Sequence, residues 1–265
     1  MNRNIVAVIT DFGTLDGYVG AMKGKILSLN PAAEIVDISH EIPPFDIRGA
    51  AFCLYNSYSF FPEGTVFVVV VDPGVGTERK GLVVQTESYV FVGPDNGVFS
   101  FILEEHSPRI YEILLHRWPG EVSPTFHGRD VFAPLAAWIS AGQTVEAYLQ
   151  EVRNAFSFWE RPEEIAPGEW RLKIIHIDHF GNAILNLRKR DLEQAAPFLP
   201  EKLEGKGFVI RRFLTTFGEA GKGELCMLWD SSGFLQIACN QGHAARRLKL
   251  RVGDGVRLCA GIKSG

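Results

Sequence analysis

The run Val66-Phe67-Val68-Val69-Val70-Val71, followed by Asp72-Pro73-Gly74, is the strongest structural signal in this chain. Six consecutive apolar residues, most of them β-branched, are typical of a strand that is buried on both faces, as at the centre of a parallel sheet. Ligands of open α/β sheets bind beyond the carboxyl ends of such strands. Asp72, which follows the run directly, is therefore a candidate functional residue.

The segments on either side of this run alternate between strand and helix patterns. Strands are predicted over residues 5–9 and 35–38, helices over residues 18–29 and 47–54, and a hairpin over residues 82–85 and 89–92. Asp130 is placed to cap a helix that extends to Ile139 and is closed by Gly142. This order predicts an α/β layered domain with a largely parallel sheet over residues 1–150.

The chain changes character after residue 150. Prolines, a glycine and several acidic residues predict a linker over residues 151–170. Short segments with a period near 2 follow, with glycines and asparagines between them. They cover residues 172–177, 183–187, 207–211, 225–228, 235–238 and 256–258. This pattern predicts a smaller, mostly β domain over residues 171–265, built as a barrel or a sandwich.

Composition excludes several classes of function. The 265 residues carry 27 Lys+Arg and 31 Asp+Glu, a net charge of −4, with no basic block, so non-specific nucleic-acid binding is disfavoured. No apolar run approaches the roughly 20 residues of a membrane span, and the first residues lack a signal-peptide pattern. The four cysteines form no CxxC motif, which favours free thiols in a reducing cytoplasm.

Three residues are candidates for chemistry from their positions alone. Asp11 follows the first predicted strand, Asp72 follows the central one, and His127 precedes a predicted helix. Each also has a structural interpretation, as a turn, a cap or a solvated side chain. The loop after Asp72 is neither GxGxxG nor a P-loop, and no HExxH, His/Cys cluster or GxSxG motif is present. We therefore expect neither a metal nor a cofactor.

A series of motifs gives a more specific indication. In chain order they are TDFGxxD at 10–16, DISHxIPPFD at 37–46, FPxGTVFxxVVDPGVGTxR at 61–79, GPDNG at 93–97, FHGRDxFAP at 126–134, DxFGN at 178–182 and SSGxLxIAxN at 231–240. With these motifs the chain resembles the adenosine-forming S-adenosylmethionine (SAM) hydrolases, or SAM hydroxide adenosyltransferases, relatives of fluorinase and chlorinase. The resemblance extends over nearly the whole chain.

The resemblance implies an N-terminal α/β domain, a C-terminal β-barrel and a homotrimer with sites at subunit interfaces. It implies conversion of SAM and water to adenosine and L-methionine. In this sequence the implied water-activating residues are Asp72, Arg79 and His127. The implied substrate contacts are Asp11 for the ribose; Asp16, Asp178 and Ser231 for the methionine moiety; and Phe45, Phe180, Asn182 and the backbone of Gln241 for adenine or its ribose.

These residue types suit the chemistry. The leaving group, a neutral thioether, needs no acid, whereas neutral water is a weak nucleophile that needs a base or a cation. The pattern leaves open whether His127 or Asp72 is the base. Two alternatives are a SAM-dependent halogenase, which a carboxylate at position 72 disfavours, and a SAM or adenosine sensor without turnover.

The resemblance also has departures. The residues concerned are Ile184, Ser232 and His243, which differ from the expected tryptophan, arginine and asparagine. All three concern the methionine end of the site that the resemblance implies.

Overall fold

In the computed structural model, which describes residues 4–195 and 198–262, the chain forms two units, Met1–Trp159 and Glu160–Gly265. The boundary lies within the segment 151–170, which also contains a short strand, β8 (Glu163–Ala166). No helix among these residues is both long enough and apolar enough to cross a membrane.

A seven-stranded mixed sheet forms the centre of the first unit. In chain order its strands are β1 (Ile5–Thr10), β2 (Glu34–Ser39), β3 (Val66–Val70), β4 (Gly81–Gln85), β5 (Val90–Pro94), β6 (Arg109–Ile113) and β7 (Leu149–Val152). Across the sheet the order is β2-β1-β3-β5-β4-β6-β7. The predicted central strand is therefore confirmed: β3 lies between β1 and β5, and all of its residues are buried.

The α/β class is confirmed, but only half of this sheet is parallel. Parallel pairs join β2, β1, β3 and β5, whereas β5, β4, β6 and β7 pair antiparallel. The predicted hairpin causes the change, because a short turn between adjacent strands permits only antiparallel pairing. The carboxyl ends of β1, β3 and β5 consequently lie at one edge of the sheet.

Helices cover both faces of this sheet. They are α1 (Tyr18–Leu29), α2 (Ile47–Tyr55), α3 (Ser100–Glu105) and α4 (Ala133–Ser140). Val66, Val68 and Val70 pack in one core with residues of α1 and α4, and Phe67 and Val69 pack in a second core with residues of α2. The alternation follows from the period of 2 along a strand, so every residue of β3 needs an apolar side chain.

The prediction that Asp130 caps the last of these helices was wrong. A π-helical turn, Gly128–Phe132, leads directly into α4, so the helical segment begins before Asp130. The Asp130 carboxylate instead accepts hydrogen bonds from the backbone N–H of Ser123, at 3.0 Å, and from Arg129. The predicted end is close: α4 stops at Ser140, and Gly142 has a positive φ of 70°.

The second unit is a nearly closed, barrel-like sheet. Its further strands are β9 (Glu169–Ile177), β10 (Ala183–Arg188), β11 (Phe198–Gly205), β12 (Phe208–Ile210), β13 (Leu225–Trp229), β14 (Phe234–Cys239) and β15 (Gly255–Ile262). The order is β12-β11-β15-β9-β10-β14-β13, and β8 pairs with β9. A bridge between Phe213, which follows β12, and Met227 of β13 brings the two ends of this order together. The predicted barrel is thus confirmed.

Six of these strands correspond to the predicted β segments. In this unit β8, β11 and two short helices, α5 (Lys189–Ala195) and α6 (Ala244–Leu248), were not predicted. These helices have 7 and 5 residues, which is too short for a helical period to stand out in sequence.

Candidate functional site

Asp72 and Arg79 form a buried ion pair at the carboxyl end of β3. Arg79 Nε donates to Asp72 Oδ1 at 3.0 Å, and Arg79 Nη2 donates to Asp72 Oδ2 at 2.5 Å. The side chain of Arg79 is only 8% exposed and that of Asp72 only 5%. A planar guanidinium matches a carboxylate in this two-bond geometry, which fixes the orientation of both groups.

The glycine-rich loop between these two residues brings them together. The chain turns back through hydrogen bonds from Val75 N to Asp72 O, at 3.2 Å, and from Thr77 N to Gly74 O, at 3.2 Å. Gly76 has a φ of +76°, and a Cβ there would overlap the carbonyl oxygen of Pro124. Only glycine therefore allows the close approach that the turn requires.

His127 completes the cluster through the same guanidinium. Its Nδ1 lies 3.2 Å from Arg79 Nη2, and the residue is 5% exposed. A guanidinium has donors only, so Nδ1 of His127 must accept this bond. The neutral ring then carries its proton on Nε2. The structure thus brings Asp72, Arg79 and His127 into one hydrogen-bonded group.

Burial shifts two protonation equilibria in this group. It raises the pKa of Asp72, against the opposing effects of the Arg79 charge and hydrogen bonds. It also lowers the pKa of His127, and the positive charge of Arg79 lowers it further. At neutral pH the group therefore holds a neutral imidazole, while Asp72 is more basic than an exposed aspartate.

A cavity of about 210 Å³ opens beside this group. Asp11, Phe45, Asp72 and His127 are among the residues that line it, whereas Arg79 is not. Asp11 Oδ2 accepts a hydrogen bond from the backbone N–H of Phe45 at 2.8 Å. Phe45 has a φ of +67°, unusual for a residue with a side chain, and the residue is 69% exposed. Asp11 thus stabilises a strained residue at the rim of the cavity.

Asp16 does not border this cavity. It lies in the exposed segment that precedes α1. Its predicted contact with the methionine moiety stays a prediction.

His40, which was not predicted as a functional residue, supports the loop around Asp11. His40 Nδ1 is 2.8 Å from Thr10 Oγ1, and its backbone oxygen accepts from Gly13 N at 2.8 Å. Thr10 and His40 are both buried. The DISH motif at 37–40 was the available signal, but the pairing of β1 with β2 was needed to place it beside Asp11.

The second unit brings another set of predicted residues together. Asp178 Oδ1 and Oδ2 accept from the backbone N–H and from Nδ2 of Asn182, both at 2.8 Å. Gly181, with a φ of +84°, packs so closely against the ring of His243 that a Cβ would overlap it. Phe180 is 74% exposed. The turn between β9 and β10 thus presents an aromatic ring beside a fixed carboxylate–amide pair.

Two neighbouring turns hold the remaining candidates. Ala245 N donates to Gly181 O at 2.9 Å, which places the turn with Gln241, whose φ is +52°, beside the turn of Asp178. Ser231 is exposed and follows Asp230. Burial raises the pKa of Asp230, and the charge of Asp178 raises it further, so Asp178 lies within electrostatic range of the Ser231 turn.

The three departures have different structural settings. His243 Nδ1 accepts from Arg246 N at 3.1 Å and so caps α6. Ile184 is buried in β10, at 2% exposed, and Ser232 N donates to Asp230 Oδ1 at 2.9 Å. Within the residues that the structure describes, no group of three or more His, Cys, Asp or Glu side chains has the arrangement of a metal site.

Comparison with known proteins gives a family. The model of the SAM hydroxide adenosyltransferase N-terminal domain matches residues 6–148, and that of the C-terminal domain matches residues 172–257. Proteins named (R)-S-adenosyl-L-methionine hydrolase from Thermus thermophilus and Methanocaldococcus jannaschii are 37% and 36% identical. The alignments cover 96% of this chain in both cases and 98% and 95% of those proteins.

More distant and structural relatives agree with this match. A fluorinase of Actinoplanes sp. is 30% identical over 94% of this chain and 95% of its own. A crystal structure of an uncharacterized conserved protein from Thermotoga maritima has a TM-score of 0.84 and 36% identity. It covers 96% of this chain and 99% of its own.

Arg79→Met should destabilise the fold by an amount that grows with pH. The change leaves the buried Asp72 without its partner, and breaking such a pair costs about 3–5 kcal/mol. The pKa of Asp72 then rises further, so the folded state binds more protons than the unfolded state above about pH 4, and stability falls as pH rises. Urea denaturation at about pH 5 and pH 8 measures this difference.

Two variants control for the loss of a cation and of a long side chain. Arg79→Met combined with Asp72→Asn removes both charges, so its destabilisation relative to wild type should no longer grow with pH. Arg109→Met breaks the exposed pair with Glu151 and should change stability little. Equal destabilisation of Arg79→Met at both pH values would show that burial does not disfavour the charged form of Asp72.

Proposed function

The chain belongs to the SAM hydroxide adenosyltransferase family, and we propose that it hydrolyses SAM to adenosine and L-methionine. An activated water attacks C5′ of the ribose, a C5′–O bond forms and the C5′–S bond breaks. The sulfonium keeps the bonding electrons and leaves as the neutral thioether of methionine, while the water releases one proton. The buried group of Asp72, Arg79 and His127 at the cavity carries this proposal.

The hydrogen bonds of this group assign different roles to its members. Asp72 and His127 line the cavity and so meet the water directly. Because Nδ1 of His127 accepts from Arg79, its Nε2–H is a donor that orients the attacking oxygen. Asp72 retains lone pairs beside its two bonds to Arg79, and burial makes it more basic. We therefore assign the proton acceptor to Asp72.

Arg79 supplies the positive charge behind both groups. It holds the Asp72 carboxylate and the His127 ring in place and stabilises negative charge that develops on the water oxygen. The thioether leaves without a proton, so the site needs no general acid.

The same group argues against the two alternatives. A halide in the cavity would lie beside the Asp72 carboxylate, which repels an anion. A sensor needs contacts to SAM or adenosine but has no use for a buried, hydrogen-bonded set that activates water. Neither alternative accounts for the three residues together.

The remaining predicted residues are assigned to substrate binding. Asp11 is the ribose acid, since a carboxylate that holds Phe45 N through one oxygen can accept from further hydroxyls. Phe45 offers an exposed ring for the nucleoside, and Phe180 offers another. Asn182 keeps Oδ1 and one N–H for the adenine edge after its bond to Asp178. Asp16, Asp178, Ser231 and Gln241 keep the contacts that the resemblance implies.

We further propose a homotrimer, in which the site on the first unit of one subunit is completed by the second unit of its neighbour. The cavity of about 210 Å³ on the first unit is smaller than the roughly 300–1,000 Å³ of typical ligand sites, which supports completion by another chain. Exposed aromatic rings at Phe45 and Phe180 support it as well.

We also propose a reducing, cytoplasmic location, because all four cysteines are free thiols.

Incubation of the purified protein with SAM should yield adenosine and methionine in equal amounts, with or without a chelator. Chromatography of the products with chloride present and absent tests the proposal. Loss of activity in chelator would contradict the metal-free mechanism. If 5′-chloroadenosine replaces adenosine in chloride, the protein is a halogenase, and if SAM is bound but unchanged, it is a sensor.

Asp72→Asn and His127→Ala should lower turnover far more than SAM affinity. Loss of a positioned base costs about 10²–10⁴ in rate, and loss of an orienting donor about 10²–10³. If both act on one water, the double variant should be little worse than the worse single variant. Single-turnover rates and calorimetric SAM binding separate the two effects.

The pH profile of turnover shows whether Asp72 or His127 is the proton acceptor. Wild-type turnover should fall as pH drops through the raised pKa of Asp72, because the protonated carboxyl no longer accepts a proton. This acid limb should persist in His127→Ala and disappear in Asp72→Asn. Disappearance in His127→Ala instead would make His127 the base, and raised SAM dissociation constants with intact single-turnover rates would make both residues binding groups.

Mixing two inactive variants tests the shared site. Asp72→Asn has a defective first unit and Asn182→Ala a defective second unit, so a mixed trimer contains some interfaces with two intact units. Activity should appear after joint refolding of the two variants, and light scattering should give a trimer. No recovery from the mixture, or a fully active monomer, would contradict a site shared between subunits.

A further inference from the structure

The turn Gly93-Pro94-Asp95-Asn96-Gly97 lies next to the water-activating group without contributing to it. Its first two residues are the last of β5, which runs parallel to β3, so the turn lies at the same edge of the sheet as Asp72. Gly93 approaches β3 so closely that a Cβ would overlap the carbonyl oxygen of Val69. The cavity is lined by other residues. The function proposed above leaves this motif without a role.

Asn96 holds the peptide that carries Asp72. Its Nδ2 donates to the backbone oxygen of Val71 at 2.8 Å, and its Oδ1 accepts from Val98 N at 3.2 Å. Val71 is fully buried, so no water can replace a donor lost at its carbonyl. Both ends of the Asn96 amide are thus used to fix the residue that immediately precedes Asp72.

The neighbouring residue of the turn holds Arg79. The backbone N–H of Asp95 donates to the carbonyl oxygen of Lys80 at 2.8 Å. The same oxygen accepts from Arg79 Nη1 at 2.9 Å. The turn therefore fixes one point beside Asp72 and a second point beside the far end of the Arg79 guanidinium.

We propose that Asn96 is a positioning residue for the water-activating group, acting through the Val71 peptide on Asp72. The inference rests on the function proposed above. The pair of Asp72 and Arg79 closes a loop of only eight residues, and each partner needs an anchor outside that loop to hold its orientation. A shift of about 1 Å in a catalytic group lowers rates by about 100-fold, whereas substrate contacts made elsewhere are unaffected.

Asn30 offers a matched control in the same unit. Its Oδ1 accepts from the backbone N–H two residues on, Ala32, at 3.2 Å, and its Nδ2 donates to Ser140 Oγ at 3.0 Å. Asn30 and Asn96 thus have the same pattern of two hydrogen bonds. Only Asn96 connects to the group of Asp72.

The first test compares Asn96→Ala with Asn30→Ala. We expect Asn96→Ala to lower kcat for SAM about 100-fold with the calorimetric dissociation constant of SAM unchanged. Asn30→Ala, at a similar loss of thermal stability, should keep kcat within about twofold of wild type. Equal losses of kcat in the two variants, or a loss that falls on SAM binding, would overturn the proposal.

Asn96→Asp provides a readout that a general loss of stability does not move, and it decides the matter if Asn96→Ala fails to fold. The new carboxyl keeps the acceptor for Val98 N, but when ionised it lacks a donor for the Val71 oxygen. When protonated it regains one. The ratio of variant to wild-type kcat should therefore rise as pH falls from about 8 to about 5. A ratio that is independent of pH would overturn the proposal.

Failure of the underlying function is distinguishable from failure of this inference. If wild-type protein does not convert SAM, the proposed function fails, and the positioning role of Asn96 in that reaction fails with it. If wild type is active and Asn96→Ala behaves as Asn30→Ala does, the function stands and the positioning role of Asn96 falls.

Discussion

The buried pair of Asp72 and Arg79 is the constraint on which the rest of the first unit depends. Removing two charges from water is costly, and only good geometry with further hydrogen bonds offsets that cost. Here the carboxylate and the guanidinium make two bonds to each other, and the guanidinium also bonds to His127 and to the Lys80 carbonyl. The arrangement requires a rigid strand before Asp72 and a tight loop after it.

Both requirements are met by simple sequence features. The apolar run of β3 fills the cores on both faces of the sheet and so fixes the point at which the chain emerges. Gly76 then allows a turn against Pro124 that no other residue permits. Because burial raises the pKa of Asp72 and lowers that of His127, the same geometry provides a basic carboxylate beside a neutral ring at neutral pH.

The chemistry proposed for the site uses these properties directly. A sulfonium leaves without protonation, so a group that accepts a proton from water and stabilises its oxygen is sufficient. In the proposed mechanism Asp72 accepts the proton, His127 donates a hydrogen bond to the water and Arg79 supplies positive charge. The second unit presents a separate set of groups, with Asn182 fixed against Asp178 and Phe180 exposed beside them, which suits recognition of a nucleoside.

The sequence alone determined the class of the fold and the identity of the family. A run such as 66–71 has one stable environment, the centre of a sheet covered on both faces, and the β segments after residue 170 require a second core. The ordered motifs along the chain indicate the family without reference to geometry. The short helices α3, α5 and α6 and the strands β6, β7, β8 and β11 were not predicted from the sequence.

Only the tertiary structure decided how the residues act on one another. Arg79 is seven positions from Asp72 and 48 from His127, and no periodicity predicts that one guanidinium contacts both. The protonated nitrogen of His127 follows from that contact. Likewise, no sequence pattern predicts that His40 O accepts from Gly13 N or that Asn96 Nδ2 donates to Val71 O. Asp130, by contrast, does not form the predicted cap, because the helical segment already begins at Gly128, and its carboxylate accepts from Arg129 and the Ser123 backbone. Sequence patterns record the preference of each segment, whereas hydrogen bonds between distant segments depend on the angles and distances at which the packed core holds them.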